Sequence, residues 1–160
     1  MRKFVGFALK VVITHTVTYF VIGAIAYQLL TKPLYIGEQA VMATFMRTEA
    51  EPELWHHVMV WFLPAQVLRG LLIALSLYPF HNTLVEWSWA KRFVAIAGIY
   101  IVIGFWACTV AAPGTIEGLV YLRPEFSLNV HLRVQPEIMA QGLLMSAWLS
   151  FWMSSKTNRC

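Results

Sequence analysis

One arginine, Arg69, sits near the middle of an almost wholly apolar stretch, Trp55 to Phe80, WHHVMVWFLPAQVLRGLLIALSLYPF. A helix needs ~20 consecutive apolar residues to cross a bilayer core. A guanidinium at that depth is costly unless polar groups meet it. Arg69 lies nine residues before Tyr78, or ~13 Å from that end of its helix at ~1.5 Å per residue. Gln66 and Ser76 fall near the same face. His15, on an earlier apolar run that starts near Phe7, lies at a comparable depth, followed by Thr18 and Tyr19 on the same side. Tyr100, Ser146 and Ser150 occupy similar levels on later runs. The expected site is therefore a buried polar layer around Arg69, with His15, Gln66, Thr18, Tyr100 and Ser146 as ligand-binding candidates. Glu86 and Glu137 are expected near opposite surfaces, which leaves no carboxylate at that depth. Arg69 would then be met by hydroxyls, amides, water, a bound anion such as a lipid phosphate, or an acid on a partner subunit.

A second constellation is expected outside the membrane: His56, His57 and His131, with Glu51, Glu53, Glu117, Glu125 and Glu137. Imidazole and carboxylate suit zinc or copper. However, His56 and His57 are adjacent and point ~100° apart on a helix. No H-x-x-x-H or H-E-x-x-H spacing occurs. His56, His57, His131 and Glu137 are thus weak metal candidates, and no metal or other cofactor is expected. Haem between two histidines would need a partner at the depth of His15, and His81 lies beyond Pro79. There is no G-x-S-x-G motif and no Asp anywhere in the chain, so no catalytic residues are assigned and the reading leans away from an enzyme without closing that class.

The elements that must position these residues follow from composition. Of 160 residues, 59% are hydrophobic and 12% charged, about half the charged share of a typical soluble domain, and mean hydropathy is +0.62. The expected fold is an all-α integral membrane protein: one domain, residues 1–160, forming a four-helix bundle with spans at 7–30, 55–79, 93–112 and 136–153. The first run resembles a signal peptide, with Arg2, Lys3 and Lys10 ahead of it and Ala24-Ile25-Ala26 as a cleavage-like site, but it is too long and is interrupted by Thr14, His15, Thr16 and Thr18. Although the pI is near 9.3, the basic residues sit at the ends of apolar runs rather than on one stripe, which argues against nucleic acid.

Between the spans, Val41, Met42, Phe45 and Met46 suggest an amphipathic surface helix or a lid over the span ends. Pro79 is expected to end the second span. Trp87, Trp89, Lys91 and Arg92 read as an interfacial loop. From Phe126 to Gln135 apolar and polar residues alternate strictly, which predicts a strand, with Leu119 to Arg123 as its partner in a short hairpin. Pro136 and Glu137 suit the first turn of the fourth helix. One side then carries Arg2, Lys3, Lys10, Lys91, Arg92, Lys156 and Arg159 against Glu86, and the other four basic residues against seven glutamates. This bias places both termini in the cytoplasm of a bacterial or archaeal cell, with the chain in its cytoplasmic (inner) membrane.

Cys108 and Cys160 are placed too far apart for a mutual disulfide, and the tail SSKTNRC lacks a prenylation order. Small residues repeat every fourth position at Gly142, Ser146, Ser150 and Ser154, and at Gly104, Cys108 and Ala112, as in close helix packing or self-association. The absent catalytic kit, these rows and the strand-like loop point first to a non-enzymatic subunit of a membrane assembly. A binding or transport protein for an anionic or lipid-like ligand at Arg69 is the alternative, and a membrane enzyme with an outer His/Glu metal site a third. The expected partners are the lipid bilayer, further copies or other membrane subunits, and an anionic lipid or small anion.

Overall fold

A computed structural model describes residues 2–38 and 40–154. Gln39, Lys156, Arg159, Cys160 and the side chain of Ser154 lie outside the described residues, and with them the readings placed there. Every regular element among the described residues is helical. Helix α1 (Arg2–Ala26) continues through a π-helical turn (Tyr27–Thr31) into α2 (Lys32–Tyr35). After a 3-10 turn (Val41–Thr44) come α3 (Pro52–Leu77), a second 3-10 turn (Tyr78–Phe80) and α4 (His81–Glu86). Helix α5 (Trp89–Ala97) runs into a π-helical segment (Gly98–Trp106), and α6 (Ile116–Tyr121) and α7 (Leu128–Ser154) follow.

Three of these stretches are long and apolar enough to cross a membrane: Arg2–Tyr35, Pro52–Glu86 and Trp89–Trp106. Their surfaces agree with that. On α3 the buried positions are Gln66, Gly70, Ala74 and Leu77, a single stripe at four- and three-residue spacing. Leu63, Leu68, Leu71, Leu72 and Leu75 are exposed around it. A helix that is apolar on every side while burying one narrow stripe is suited to hydrocarbon, not to water.

Helix α1 packs against both α3 and α7, and α5 packs against α7. At one end, Phe7 meets Tyr78 and His81 with ring centroids 6.0 and 5.0 Å apart, and the Lys10 ammonium donates to the Trp152 carbonyl at 2.8 Å. The first residues of α1 and the last of α7 therefore share that end. Its core is Phe7, Val11, Leu77, Leu84, Ile96 and Leu149 with their neighbours. A smaller cluster, Leu34, Met42 and Val130, closes the opposite end. Between the ends, α1 and α3 approach so closely that a Cβ on Gly70 would lie 2.9 Å from the Val12 Cα.

Several expected boundaries move. Pro79 does not end the second span. It falls in the first turn of the 3-10 segment, where no intrahelical donor is needed, and the helix continues to Glu86. The third span begins at Trp89 and ends at Trp106, not at residue 112. Residues beyond it are gathered by Thr115, whose hydroxyl donates to the Val110 and Ala112 carbonyls at 3.1 and 2.9 Å. The amphipathic stretch after α2 is only the short 3-10 turn, with Met42 buried under it as a lid.

The expected hairpin is helix instead. Residues 116–121 form α6, and α7 starts at Leu128, so Pro136 and Glu137 lie inside a helix rather than at its first turn. The alternating decapeptide also contains four-residue spacings, and the fold uses those. Val130 and Val134 pack on the Leu34–Met42 cluster with Phe126. His131 and Gln135 both reach Gly114: its N–H donates to His131 Nδ1 at 2.8 Å, and Gln135 Nε2 donates to its carbonyl at 2.7 Å. Trp106 Nε1 donates to Gln135 Oε1 at 2.8 Å.

Arg92, read from the sequence as an interfacial loop residue, is 2% exposed. Its guanidinium donates to the carbonyls of Leu84 (2.6 Å), Val85 (3.2 Å) and Trp87 (2.8 Å) at the end of α4, and to the Ser150 carbonyl on α7. Removing it would strand several carbonyls at once. Arg92→Met should therefore lower stability by about 3 kcal/mol or more, read as a depressed unfolding midpoint in mild detergent. An unchanged midpoint would show that water serves those carbonyls as well. Gly114, at φ +94°, would bring a Cβ to 2.6 Å from Phe105 Cζ. Gly114→Ala should also unfold earlier, with the loss traced by proteolysis between residues 107 and 127.

Candidate functional site

The expected polar layer divides into two parts. The first is buried and internal. His15 and Gln66 are both buried, and His15 Nε2 lies 3.2 Å from Gln66 Oε1, linking α1 to α3. Thr14 and Thr18 are buried beside them, but their hydroxyls donate to carbonyls one turn back, Lys10 at 2.8 Å and Thr14 at 2.7 Å. Thr18 thus spends its proton on its own helix. Ser146 is wholly enclosed, and its Oγ has no partner among the described residues.

The second part is a cleft of ≈ 520 Å³, with α3 on one side and α5 with its π-helical continuation on the other. Tyr19 and residues of α7 lie behind it. Arg69, Ser76, Tyr100, Glu137 and Gln141 supply its polar groups, among Leu72, Ile99 and Phe105. Arg69 is exposed rather than buried, because the cleft is open at its side. Among the described residues it makes no hydrogen bond and no ion pair; the neutral hydrogen bonds expected to hold it are absent there. Tyr100 Oη and Gln141 Nε2 are buried without partners among the described residues.

Glu137 corrects the depth assigned from sequence. It was expected at a surface as the first acid of a helix. Because α7 begins eight residues earlier than the expected span, Glu137 is half-buried in the bundle and lines the same cleft as Arg69. Gly23 on α1 lies alongside it, since a Cβ there would be in ordinary contact with Glu137 Oε1, 3.6 Å away. Gln141, one turn further, was missed as well. An i, i+4 pair of polar residues, Glu137 and Gln141, was the available signal, hidden by the assumption that Pro136 starts a helix.

The other candidates disperse. His56 and His57 are exposed near the start of α3, His131 is 3% exposed and bound to Gly114, and Glu137 faces the cleft. Among the described residues no three potential metal ligands gather. The α7 row of small residues turns inward: a Cβ on Gly142 would lie 2.6 Å from Ile101 Cγ1, and Ser146 and Ser150 are fully buried. The second row is cut, because the helix holding Gly104 ends at Trp106, before Cys108 and Ala112. Comparison with family models, curated proteins and solved structures returns no match to this chain.

The internal pair can be tested apart from the cleft. His15→Leu or Gln66→Leu alone should each cost about 1–3 kcal/mol, because the remaining partner is buried and unpaired. The double variant should cost less than the sum in thermal unfolding.

Proposed function

We propose that this chain crosses the bilayer four times, with α7 as the fourth span and both termini in the cytoplasm of a bacterial or archaeal cell, and that its cleft binds an amphiphile whose headgroup presents a phosphate or other anionic group. Helix α7 has 27 residues, a length of ~40 Å, and packs within the bundle. The end shared by the start of α1 and the end of α7 carries Arg2, Lys3, Lys10 and Lys91, which favours the cytoplasmic side.

The ligand reading rests on one observation: among the described residues the guanidinium of Arg69 stands unpaired at the side of a ≈ 520 Å³ cleft between two helices of membrane-spanning length. Such a cleft admits an acyl chain sideways from the bilayer, and Arg69 offers the fork geometry that phosphate and carboxylate groups match. Tyr100 and Gln141 add hydrogen-bonding groups that lack partners among the described residues. His15, Gln66, Thr18 and Ser146 support the wall behind the ligand instead of touching it. A second reading, a subunit of a larger membrane assembly, is favoured by Gly6 and Gly98: an added Cβ at either would meet nothing within 4 Å, which leaves room for another helix.

Native mass spectrometry of the purified protein with phosphatidic acid tests the ligand reading. Arg69→Ala should weaken binding about 10-fold or more, and Arg69→Lys less, since a charge-assisted bond contributes ~1.5–3 kcal/mol. If Arg69→Ala unfolds at the wild-type temperature and binds equally well, the reading fails.

A further inference from the structure

A second cavity adjoins the first. It measures ≈ 530 Å³ and lies between the later part of α1, the segment before α3, and the start of α3. Both cavities are lined by Tyr19, Tyr35 and Glu137, so they meet at these three residues. The second one is an aromatic chamber, with Tyr27, Trp55 and Phe62 among its walls and Arg47 and Glu49 beside them. Thr48 also lines it; that residue is 1% exposed, and its Oγ1 has no partner among the described residues.

The charges along this double cavity are balanced. Arg69 and Glu137 line the cleft; Arg47, Glu49 and again Glu137 line the chamber. Arg69 and Glu137 share a cavity, yet among the described residues they form no ion pair. A ligand carrying only negative charge would satisfy Arg69 and be repelled by Glu137 in the same low-dielectric space. A ligand with one charge of each sign would satisfy both. Aromatic faces beside a carboxylate are the surroundings that hold an organic ammonium.

The geometry points to a zwitterionic phospholipid headgroup as the occupant: its phosphate against Arg69 in the cleft, its ammonium against Glu137 and the rings of the chamber, and its acyl chains leaving between α3 and α5. This inference rests on the cleft being an amphiphile site and names the class of amphiphile. Glu137 would select for the ammonium, while Arg69 holds the phosphate that all phospholipids share.

Native mass spectrometry with phosphatidylethanolamine and phosphatidic acid of identical acyl chains separates the two claims, using the full chain and the variants Glu137→Gln, Glu137→Asp, Glu49→Gln and Arg69→Ala. Wild type should prefer phosphatidylethanolamine. Glu137→Gln should weaken phosphatidylethanolamine about 10-fold and leave phosphatidic acid equal or tighter, as loss of one charge-assisted contact implies. Glu137→Asp should retain part of the preference, and Glu49→Gln should reduce it less than Glu137→Gln does. Arg69→Ala should weaken both lipids. A wild type that prefers phosphatidic acid, or a Glu137→Gln variant that changes both lipids equally or neither, overturns the zwitterion assignment; loss of both lipids in Arg69→Ala would then still leave the anionic site standing. If Arg69→Ala binds both lipids as wild type does, both claims fall. Should Glu137→Gln not fold, an unaltered lipid preference in both Glu49→Gln and Glu137→Asp would overturn the assignment.

Discussion

The guanidinium of Arg92 draws together backbone that would otherwise have no reason to meet. Helix α4 ends at Glu86 and α5 starts at Trp89, so the carbonyls of Leu84, Val85 and Trp87 lack donors from their own helix. Arg92 supplies those donors from one turn into α5 and extends the set to Ser150 on α7. A buried charge is tolerated here because its N–H groups point at carbonyls rather than at hydrocarbon. The consequence is geometric: the α4–α5 corner is fixed, α5 is held against α7, and α3 and α5 are joined at that one end.

The cleft follows from this arrangement. Two apolar clusters close the ends of the bundle; α1 binds α3 through close backbone approach at Gly70 and through His15 and Gln66, and meets α7 where Lys10 donates to the Trp152 carbonyl. Helix α3 and the π-helical continuation of α5 are thus tied at one end by the corner and elsewhere flank an open space instead of packing together. The wider turns of Gly98–Trp106 bring Tyr100 and Phe105 to its wall. π-helical segments commonly accompany functional sites.

Two arginines illustrate opposite solutions to one problem. Arg92 is buried and saturated by carbonyls, which makes it structural. Arg69 is open and unpaired among the described residues, which leaves its hydrogen-bonding capacity for something else. The sequence reading assigned them the reverse surroundings, because it judged depth from position along an apolar run. Depth along a helix is legible that way; which side the residue faces is not, when nearly every neighbour is apolar.

Composition and the lengths of the apolar runs determined the class of this protein by themselves, helical with stretches long enough for a bilayer, since backbone in hydrocarbon must satisfy its own hydrogen bonds; four such stretches are read from the sequence, and three meet the criterion among the described residues. They also placed His15 near the level of Arg69, because rise per residue is constant in a helix; the partner it meets is Gln66, one turn from Arg69. Only tertiary structure decided that residues 128–135 are helical, for the stretch 126–135 carries both a two-residue and a four-residue pattern. The choice between them was made by Gly114, Leu34 and Met42, which lie far away in the chain. Once α7 begins at Leu128, Glu137 moves from a helix end into the cleft beside Arg69. That both charges line one cleft follows from the packing of α1, α3 and α7, and no local pattern in the sequence encodes it.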